Sequence, residues 1–175
     1  MSNGLIHVYY GYGKGKTTAA LGLALRASGG GRRVVIVQFL KESNTSELSN
    51  LKLLPNITVF RGTAAKCFVS DMTPQQQEAT KRIQDANLTK ALEAVTSGTC
   101  DLLILDEALD AYQLDLLDSS LFLDLIFNKP DALELVITGH KPDDQIISRA
   151  DYVTEMVKIK HPYDRGIQGR RGIEF

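Results

Sequence analysis

A glycine- and lysine-rich segment near the start of the chain reads Gly11-Tyr12-Gly13-Lys14-Gly15-Lys16-Thr17-Thr18. It follows an apolar run at residues 5–10 that is typical of a buried strand. It precedes an alanine- and leucine-rich run at residues 19–27 that is typical of a helix. A glycine-rich turn between a strand and a helix is the context of a phosphate-binding loop. We therefore predict that residues 11–18 bind phosphate; the alternative is a turn that only joins the two elements.

The residue types in this segment suit a nucleoside triphosphate. Glycines let the backbone approach a ligand closely, so that successive N–H groups and the positive end of the helix face the phosphates. Lys16 would place an ammonium against the phosphate oxygens, and the Thr17 hydroxyl is a suitable Mg²⁺ ligand. The usual pattern has its first glycine where this chain has Tyr10, so the loop is a variant with an additional cation at Lys14.

A second informative segment reads Asp101-Leu102-Leu103-Ile104-Leu105-Asp106-Glu107. Its apolar centre predicts a buried strand, with two acids at the carboxyl end. In P-loop proteins an acid at this point holds Mg²⁺ directly or through water. The alternative is an acid that only favours the start of a following helix. Together with the loop, Asp106 and Glu107 predict a magnesium site.

Length and composition indicate an ordinary globular protein. A chain of 175 residues is the size of one domain, and 43% apolar and 23% charged residues are usual values. The net charge of −1 argues against nucleic acid or an anionic membrane as a partner. No run is long and apolar enough to span a bilayer, and the first residues lack the pattern of a signal peptide. The two cysteines, Cys67 and Cys100, form neither a zinc motif nor a disulfide framework, so we expect a cytoplasmic protein.

Strand and helix patterns alternate along the whole chain, which predicts an α/β fold: a mainly parallel sheet with helices on both faces and a P-loop NTPase (RecA-like) core. The predicted strands are residues 5–10, 34–40, 57–60, 102–105, 133–137 and 152–159. The predicted helices are residues 19–27, 47–54 and 73–97, two short helices within 110–127, and one that begins near residue 142. The carboxyl ends of parallel strands meet at one edge, where ligands bind.

Several further side chains fall at or near that edge. Gln38 and Lys41 follow the second strand, although Lys41 is equally consistent with a solvated strand end. Phe68 lies in an irregular loop at residues 62–73 and Tyr112 in a predicted helix; each is either a ligand contact or a core residue. His140 follows the fifth strand and is either a ligand contact or a hydrogen-bonded structural residue.

The last segment, residues 161–175, is basic and punctuated by glycine, with apolar Ile167, Ile173 and Phe175. A solvated tail is one interpretation. Because disordered ends usually lack such apolar residues, we predict instead that residues 161–175 fold back on the site. We treat residues 1–175 as a single P-loop domain. On these residues alone, a P-loop phosphotransferase or an NTPase switch remains open.

The chain resembles the ATP:corrinoid adenosyltransferases of the cobalamin pathway. The resemblance rests on Gly-Tyr-Gly-Lys-Gly-Lys-Thr-Thr-Ala-Ala at 11–20, Val-Gln-Phe-Leu-Lys at 37–41, Leu-Asp-Glu at 105–107, Ile-Thr-Gly at 137–139 and Asp-Tyr-Val-Thr-Glu-Met at 151–156. The closing run, Lys-His-Pro-Tyr-Asp-Arg-Gly-Ile-Gln-Gly-Arg-Arg-Gly-Ile-Glu-Phe, is similar to the C-terminal signature of that family. The motifs occur in order over nearly the whole chain.

The resemblance implies that ATP is an adenosyl donor rather than a phosphoryl donor. The cobalt(I) centre of a corrinoid attacks the 5′ carbon of the ribose, and inorganic triphosphate leaves. ATP then lies along the loop in the reverse sense, so that its sugar meets the corrinoid. Cobalt(I) is itself a strong nucleophile, so no protein base is expected.

The resemblance also implies roles for particular residues. Gly11 to Thr18 bind ATP, with Lys16 stabilising charge on the triphosphate, and Arg26 is near the nucleotide. Thr17, with Asp106 or Glu107, takes Mg²⁺ or Mn²⁺. Phe68 and Tyr112 are the candidates on the corrinoid side. A flavin-type or other reductase is expected to supply cobalt(I), and the expected oligomer is a homodimer.

Overall fold

Parallel strands form a single six-stranded sheet in the order β3-β2-β4-β5-β1-β6. The structure is a computed structural model that describes residues 3–41, 45–65, 67 and 69–175. The strands are β1 (Ile6–Tyr10), β2 (Val34–Gln38), β3 (Ile57–Arg61), β4 (Leu102–Asp106), β5 (Glu134–Thr138) and β6 (Tyr152–Glu155). The prediction of an α/β fold with a mainly parallel sheet is therefore confirmed.

Helices cover both faces of this sheet, also as predicted. They are α1 (Lys16–Gly29), α2 (Glu47–Leu51), α3 (Pro74–Thr96), α4 (Ala108–Gln113), α5 (Ser119–Asn128) and α6 (Asp144–Arg149), with short 3-10 turns at Val69–Asp71 and Pro162–Arg165. On one face, α1 and α2 pack on the side chains of Val34 and Ile36. On the other face, α3 to α6 contribute side chains to the core that contains Val35 and Val37. Because β2 is covered on both faces, all of its side chains are buried, which explains its continuous apolar sequence.

Local signals fix where two of the helices begin. Thr73 caps α3 by accepting a hydrogen bond from the Gln76 amide at 3.3 Å, and the Gln76 side chain accepts one from the Thr73 amide at 2.8 Å. This reciprocal capping box fixes the start of α3. Asp118 caps α5 by accepting hydrogen bonds from the amides of Ser120 and Leu121, so the break between α4 and α5 ends at residue 118.

Two strands are shorter than the sequence predicts. Strand β2 ends at Gln38 rather than at residue 40, because Leu40 adopts a positive φ of 57° that no strand continues. Strand β6 ends at Glu155 rather than at residue 159. Among the described residues it is an edge strand that pairs with β1 alone. Because β1 itself ends at Tyr10, no described strand lies beside the chain beyond residue 155.

The register of the sheet brings the candidate residues to one edge. Gln38 at the end of β2 lies opposite Asp106 at the end of β4, and Tyr9 near the end of β1 lies opposite Thr138 at the end of β5. The glycine-rich loop leaves β1 at the same edge. Within the described residues, no helix is both long enough and apolar enough to cross a membrane.

Candidate active site

The glycine-rich loop packs closely against the segment that follows β6. The Gly13 amide donates to the Met156 carbonyl oxygen at 2.6 Å, and a Cβ atom at Gly13 would lie 2.6 Å from that same oxygen. The Gly11 amide donates to the His140 carbonyl oxygen at 2.9 Å. Glycine is needed at residue 13 because of this contact, and the amides of Gly11 and Gly13 are held by protein carbonyls rather than directed at a ligand.

Lys16 spans the loop from the first turn of α1. Its Nζ donates to the carbonyl oxygens of Gly11 at 2.7 Å and Gly13 at 3.0 Å. Burial lowers the pKa of Lys16, and the nearby carboxylates of Asp110, Glu107 and Asp106 oppose that shift. The ammonium is therefore held inside the curve of the loop, beside the backbone that the sequence assigns to phosphate.

Asp106 is the centre of the site and is fully buried. Its Oδ1 accepts hydrogen bonds from the hydroxyls of Thr17 at 2.9 Å and Thr138 at 2.8 Å. Its Oδ2 accepts from Lys41 Nζ at 2.5 Å and from Gln38 Nε2 at 3.4 Å. The structure thus brings together the loop threonine and the strand-end acid that the sequence predicts as metal ligands.

Glu107 lies beside this centre at the turn into α4. Its backbone is in the left-handed region with φ 61°, and its amide donates to the Thr138 hydroxyl at 2.9 Å. Its carboxylate Oε1 is 3.3 Å from Lys41 Nζ. Burial raises the pKa of Glu107, and the Lys41 ammonium partly offsets this. Of the two acids, Asp106 contacts Thr17 and Glu107 does not.

Lys41 joins the two acids and the loop. Its Nζ also donates to the Thr17 hydroxyl at 2.9 Å, and only 18% of its side chain is exposed. Burial lowers the pKa of Lys41, but Asp106 and Glu107 together outweigh it, so the pKa of Lys41 lies above its ordinary value. The interpretation of Lys41 as a solvated strand end is therefore wrong. The signal for it in the sequence was its place just beyond the carboxyl end of β2.

A separate pair flanks the other side of the loop. His140 Nδ1 lies 2.9 Å from Asp110 Oδ1, and the ring of Tyr12 lies over the ring of His140 with a centroid distance of 5.1 Å. Tyr12 itself is 71% exposed. His140 is thus hydrogen-bonded to a protein carboxylate, which is the structural alternative that the sequence left open.

Two predicted site residues do not join this cluster. Arg26 is in the last turn of α1, where it lines a hollow with Leu102 and Glu134, the first residues of β4 and β5, at the opposite edge of the sheet. The ring of Tyr112 packs on Phe122 with a centroid distance of 5.4 Å, against the core. Phe68 lies outside the described residues.

Residues 172–175 lie beside the loop. Lys14 Nζ, on an exposed side chain, donates to Glu174 Oε1 at 3.3 Å, and the Phe175 carbonyl oxygen accepts from the Ser46 hydroxyl at 3.0 Å. These residues help to enclose a cavity of about 660 Å³ that reaches from α1 and α2 to the Asp106 centre. The cavity is lined by Thr17, Thr18, Leu21, Gly22, Leu25, Lys41, Thr45, Ser46, Glu47, Asn50, Glu107 and Gly172 to Phe175.

The parallel sheet, the loop between β1 and α1, and the acid at the end of β4 together define a P-loop nucleotide-binding domain. A KaiC-like protein from Pyrococcus horikoshii has a similar fold, with a TM-score of 0.51 and 16% sequence identity over 98% of this chain and 76% of that chain. This likeness concerns the fold alone.

The model of the family ATP:corrinoid adenosyltransferase BtuR/CobO/CobP matches residues 2–175. The corrinoid adenosyltransferase of Escherichia coli strain K12 is 32% identical over 172 residues, 98% of this chain and 86% of that protein. The corrinoid adenosyltransferase of Pseudomonas aeruginosa is 30% identical over 173 residues, 98% of this chain and 84% of that protein. The chain therefore belongs to the ATP:corrinoid adenosyltransferase family, whose activity is adenosyl transfer from ATP to a corrinoid.

Proposed function

We propose that this chain transfers the 5′-deoxyadenosyl group of ATP to the cobalt(I) of a corrinoid, with the triphosphate held by residues 11–18 and released as the leaving group. The observation that carries this assignment is the convergence of Lys16, Thr17 and Lys41 with the buried carboxylate of Asp106 at the carboxyl edge of the sheet. A triphosphate is a polyanion, and this edge offers it ammonium groups, a helix amino terminus and a place for a divalent cation.

The loop residues divide the work of holding the triphosphate. Because the amides of Gly11 and Gly13 are bonded to His140 and Met156, the phosphate-facing amides in this proposal are those of residues 14–18. Lys16 exchanges its two carbonyl acceptors for phosphate oxygens. Tyr12 and Lys14 lie on the exposed side of the loop, where Lys14 adds positive charge. Groups that are fixed before the reaction stabilise charge that develops on the leaving group most effectively.

The residues at Asp106 fit a Mg²⁺ ion, or Mn²⁺ in its place. Mg²⁺ prefers hard oxygen ligands, and Thr17 and Asp106 supply a hydroxyl and a carboxylate 2.9 Å apart. The ammonium of Lys41 already lies among the oxygens of Thr17, Asp106 and Glu107, which marks the place as suited to a cation. When bound, the metal would withdraw charge from the triphosphate as the carbon–oxygen bond breaks. Thr17 and Asp106 would hold it, with Glu107 at its outer side.

The acceptor side needs positioning rather than proton transfer. Cobalt(I) supplies the electron pair to the ribose 5′ carbon, and the electrons of the breaking bond leave with triphosphate, so no proton has to be moved. Alignment of two reactants can account for about 7–11 kcal/mol of a barrier. The packing of Tyr112 on Phe122 gives it no corrinoid contact in this scheme, and Phe68 stays a candidate from the sequence.

The cavity of about 660 Å³ beside the Asp106 centre is where we place the part of ATP that extends beyond the loop. Its volume lies in the range of small-molecule sites, about 300–1,000 Å³. The apolar side chains of Leu21, Leu25 and Ile173 line it, together with polar groups near Thr17. Residues 172–175 would then act as a cover that keeps water from the reacting carbon.

Two partners complete the proposal. A reductase of the flavin type, or another electron donor, delivers the cobalt(I) corrinoid, and a second copy of the chain forms a homodimer. Arg26 lies at the sheet edge away from the loop, so within one protomer it is remote from the nucleotide; a role in ATP binding would require a partner subunit.

The test is a product analysis. The protein is incubated with MgATP and a chemically reduced corrinoid, and the appearance of the cobalt–carbon chromophore is followed by absorbance while the phosphate products are separated. We expect an adenosylated corrinoid and one inorganic triphosphate per turnover. Formation of ADP with no change in the corrinoid spectrum would contradict the proposal. An Asp106→Asn variant, assayed in parallel, tests whether the reaction occurs at this site.

A further inference from the structure

Lys41 Nζ lies among three oxygen atoms, at a position that suits a cation. Its Nζ is 2.5 Å from Asp106 Oδ2, 2.9 Å from Thr17 Oγ1 and 3.3 Å from Glu107 Oε1. An ammonium has three N–H donors, and here each has an oxygen acceptor within reach. The side chain is 18% exposed and that of Asp106 is 1% exposed, so this contact lies inside the protein and not on its surface.

The same oxygens are the ones that the proposed function assigns to the divalent cation. Mg²⁺ requires close, nearly octahedral oxygen ligands at about 2.0–2.1 Å. An ammonium that hydrogen-bonds both Thr17 and Asp106 fills the space between those ligands. The Lys41 ammonium and a divalent cation that both contact Asp106 would also repel each other strongly in a buried site. Lys41 and the metal therefore exclude each other at this position.

We propose that Lys41 is an exchangeable counter-cation of the metal site: it neutralises Asp106 and Glu107 in the nucleotide-free protein and leaves when the divalent cation enters with ATP. This inference rests on the proposed function, because it takes Thr17 and Asp106 as the metal ligands. It assigns Lys41 a role in positioning and in the order of binding, and no part in bond formation.

The surroundings of Lys41 give the displaced ammonium a destination. Lys41 and Thr18 both line the cavity of about 660 Å³ in which we place the part of ATP outside the loop. A lysine carries its charge on a flexible stem, so Nζ can turn into that cavity without a change in the backbone. There it would meet oxygens of the bound nucleotide. The nucleotide thus supplies the partner that Lys41 loses to the metal.

This exchange makes metal binding depend on the nucleotide. A free divalent cation must displace Lys41 with no compensating partner for the ammonium, so it binds weakly. A cation that arrives with ATP brings phosphate oxygens with it, so the ammonium is paired again. A permanent structural ion pair would behave differently. Its removal would lower the stability of the protein but would not change its affinity for a metal ion.

The experiment measures Mn²⁺ binding to the nucleotide-free protein by electron paramagnetic resonance of the free ion. Wild type is compared with Lys41→Met and with Lys81→Met. Lys81 is a matched control on α3, and its ammonium pairs with Asp115, just beyond the end of α4 and away from the site. We expect Lys41→Met to bind Mn²⁺ at least about tenfold more tightly than wild type, since one buried positive charge is removed from the metal position. Lys81→Met should stay within about twofold, as expected for an exposed charge. Equal affinities of wild type and Lys41→Met would overturn the inference.

A further arm separates this inference from the proposed metal site. Mn²⁺ affinity is measured in the presence of ATP for wild type and for Asp106→Asn. If Asp106→Asn loses affinity while Lys41→Met matches wild type without nucleotide, the metal site stands and the exchange is wrong. If Asp106→Asn binds Mn²⁺ and ATP as wild type does, the proposed metal site is itself wrong, and the exchange with it.

A measurement on the unmodified protein covers the case in which Lys41→Met does not fold. Lysine side chains are labelled with ¹⁵N, and the Lys41 ammonium signal is identified by its loss in Lys41→Arg. We expect this signal to shift when Mg²⁺ and ATP are added together and to stay in place when Mg²⁺ is added alone. If the Lys41 ammonium signal does not shift when Mg²⁺ and ATP are added together, the inference is overturned.

Discussion

Strands β2 and β4 carry an ion pair at each end, and the two pairs differ in every property that matters for function. At the amino end, Arg33 Nε and Nη2 donate to the two Asp101 oxygens at 2.9 and 2.6 Å, on exposed side chains. At the carboxyl end, Lys41 bonds a buried Asp106 that also accepts from hydroxyl groups of the loop and of β5.

From this difference we assign a structural role to the ion pair at the amino end of the strands and a functional role to the pair at the carboxyl end. The planar guanidinium of Arg33 forms a bidentate ion pair with the carboxylate of Asp101. Both groups are thereby paired with each other. Lys41 is a point charge that makes single contacts with oxygens from three residues, and a metal ion can replace it. We therefore expect substitutions at the carboxyl end to affect catalysis and those at the amino end to affect stability.

The largest loss of activity is expected from Lys16→Ala, at the carboxyl edge of the sheet. Its ammonium lies in the loop, and loss of one preorganised group on developing charge lowers a rate by about 10²–10³-fold. We expect kcat/KM for ATP to fall by this factor or more, as measured by the rate of cobalt–carbon bond formation. Lys81→Ala is the control for loss of a lysine, and thermal unfolding shows whether the fold is kept. Full activity of Lys16→Ala would contradict the role of the loop.

Asp106→Asn tests the carboxyl-end pair directly. The amide has nearly the same shape, so the hydroxyls of Thr17 and Thr138 keep a hydrogen-bonding neighbour, but the negative charge for the metal is lost. We expect a decrease of about 10–100-fold in activity at fixed Mg²⁺, with part of the loss recovered at higher Mg²⁺. A Mg²⁺ titration of the initial rate gives this result. An unchanged rate and Mg²⁺ dependence would place the metal elsewhere.

A smaller effect is expected when residues 172–175 are removed. These residues line the cavity and contact Lys14 and Ser46, but they do not touch Asp106. We expect kcat/KM for ATP to fall by about tenfold, because a cover over a reacting centre excludes water and positions the substrate. Glu174→Gln keeps the chain length and removes the charge that pairs with Lys14 and Arg170, so it should have a milder effect. If the shortened protein is as active as the full chain, residues 172–175 have no part in the site.

Asp101→Asn should have the smallest effect on activity and sharpens the contrast between the two ends. We expect kcat to stay within about twofold and the free energy of unfolding to fall by about 1 kcal/mol or less, the usual range for an exposed ion pair. Activity assays and denaturant unfolding measure the two quantities. Loss of activity comparable to that of Asp106→Asn would remove the distinction between the two ends of the strands.

The amino-end pair also gives a pH dependence of stability. Arg33 hydrogen bonding lowers the pKa of Asp101 from 3.8 to about 2. Because the folded state binds the proton less readily than the unfolded state does, the stabilisation is present above about pH 4 and is lost as the pH falls toward 2. Chemical unfolding at several pH values should show less acid sensitivity between these limits in Asp101→Asn than in wild type. Identical slopes for both proteins would contradict this assignment.

Much of the fold follows from patterns within short segments of the sequence. The continuous apolar run of β2 indicates a strand covered on both faces, and Thr73 with Gln76 marks the start of α3. The sequence predicts that β2 and β6 end at residues 40 and 159, whereas they end at Gln38 and Glu155. Apolar residues such as Val157 and Ile159 extend the pattern beyond residue 155, but a strand needs a neighbour, and β1 has already ended there.

The site was predictable in part for a similar reason. The loop and the acids after β4 stand out because their chemistry is concentrated in contiguous residues. The sequence marks Lys41 only by its place after β2 and leaves a solvated strand end equally open, because a lysine after a strand is ordinary until the strand beside it is known. The resemblance to the family predicts Arg26 near the nucleotide, but the length of α1 places it at the opposite edge of the sheet within one protomer.

The sequence alone thus predicts a phosphate-binding loop, a metal-binding acid and a family, because each signal lies in residues that are close together in the chain. The meeting of Thr17, Lys41, Asp106 and Thr138 depends instead on β2, β4 and β5 being neighbours in a given order and register. Strand order is a property of the packed sheet, where long-range hydrogen bonds and burial select one arrangement among several that the same local patterns allow. For this reason the contacts of Lys41 with Thr17 and Asp106 are visible only in the folded protein.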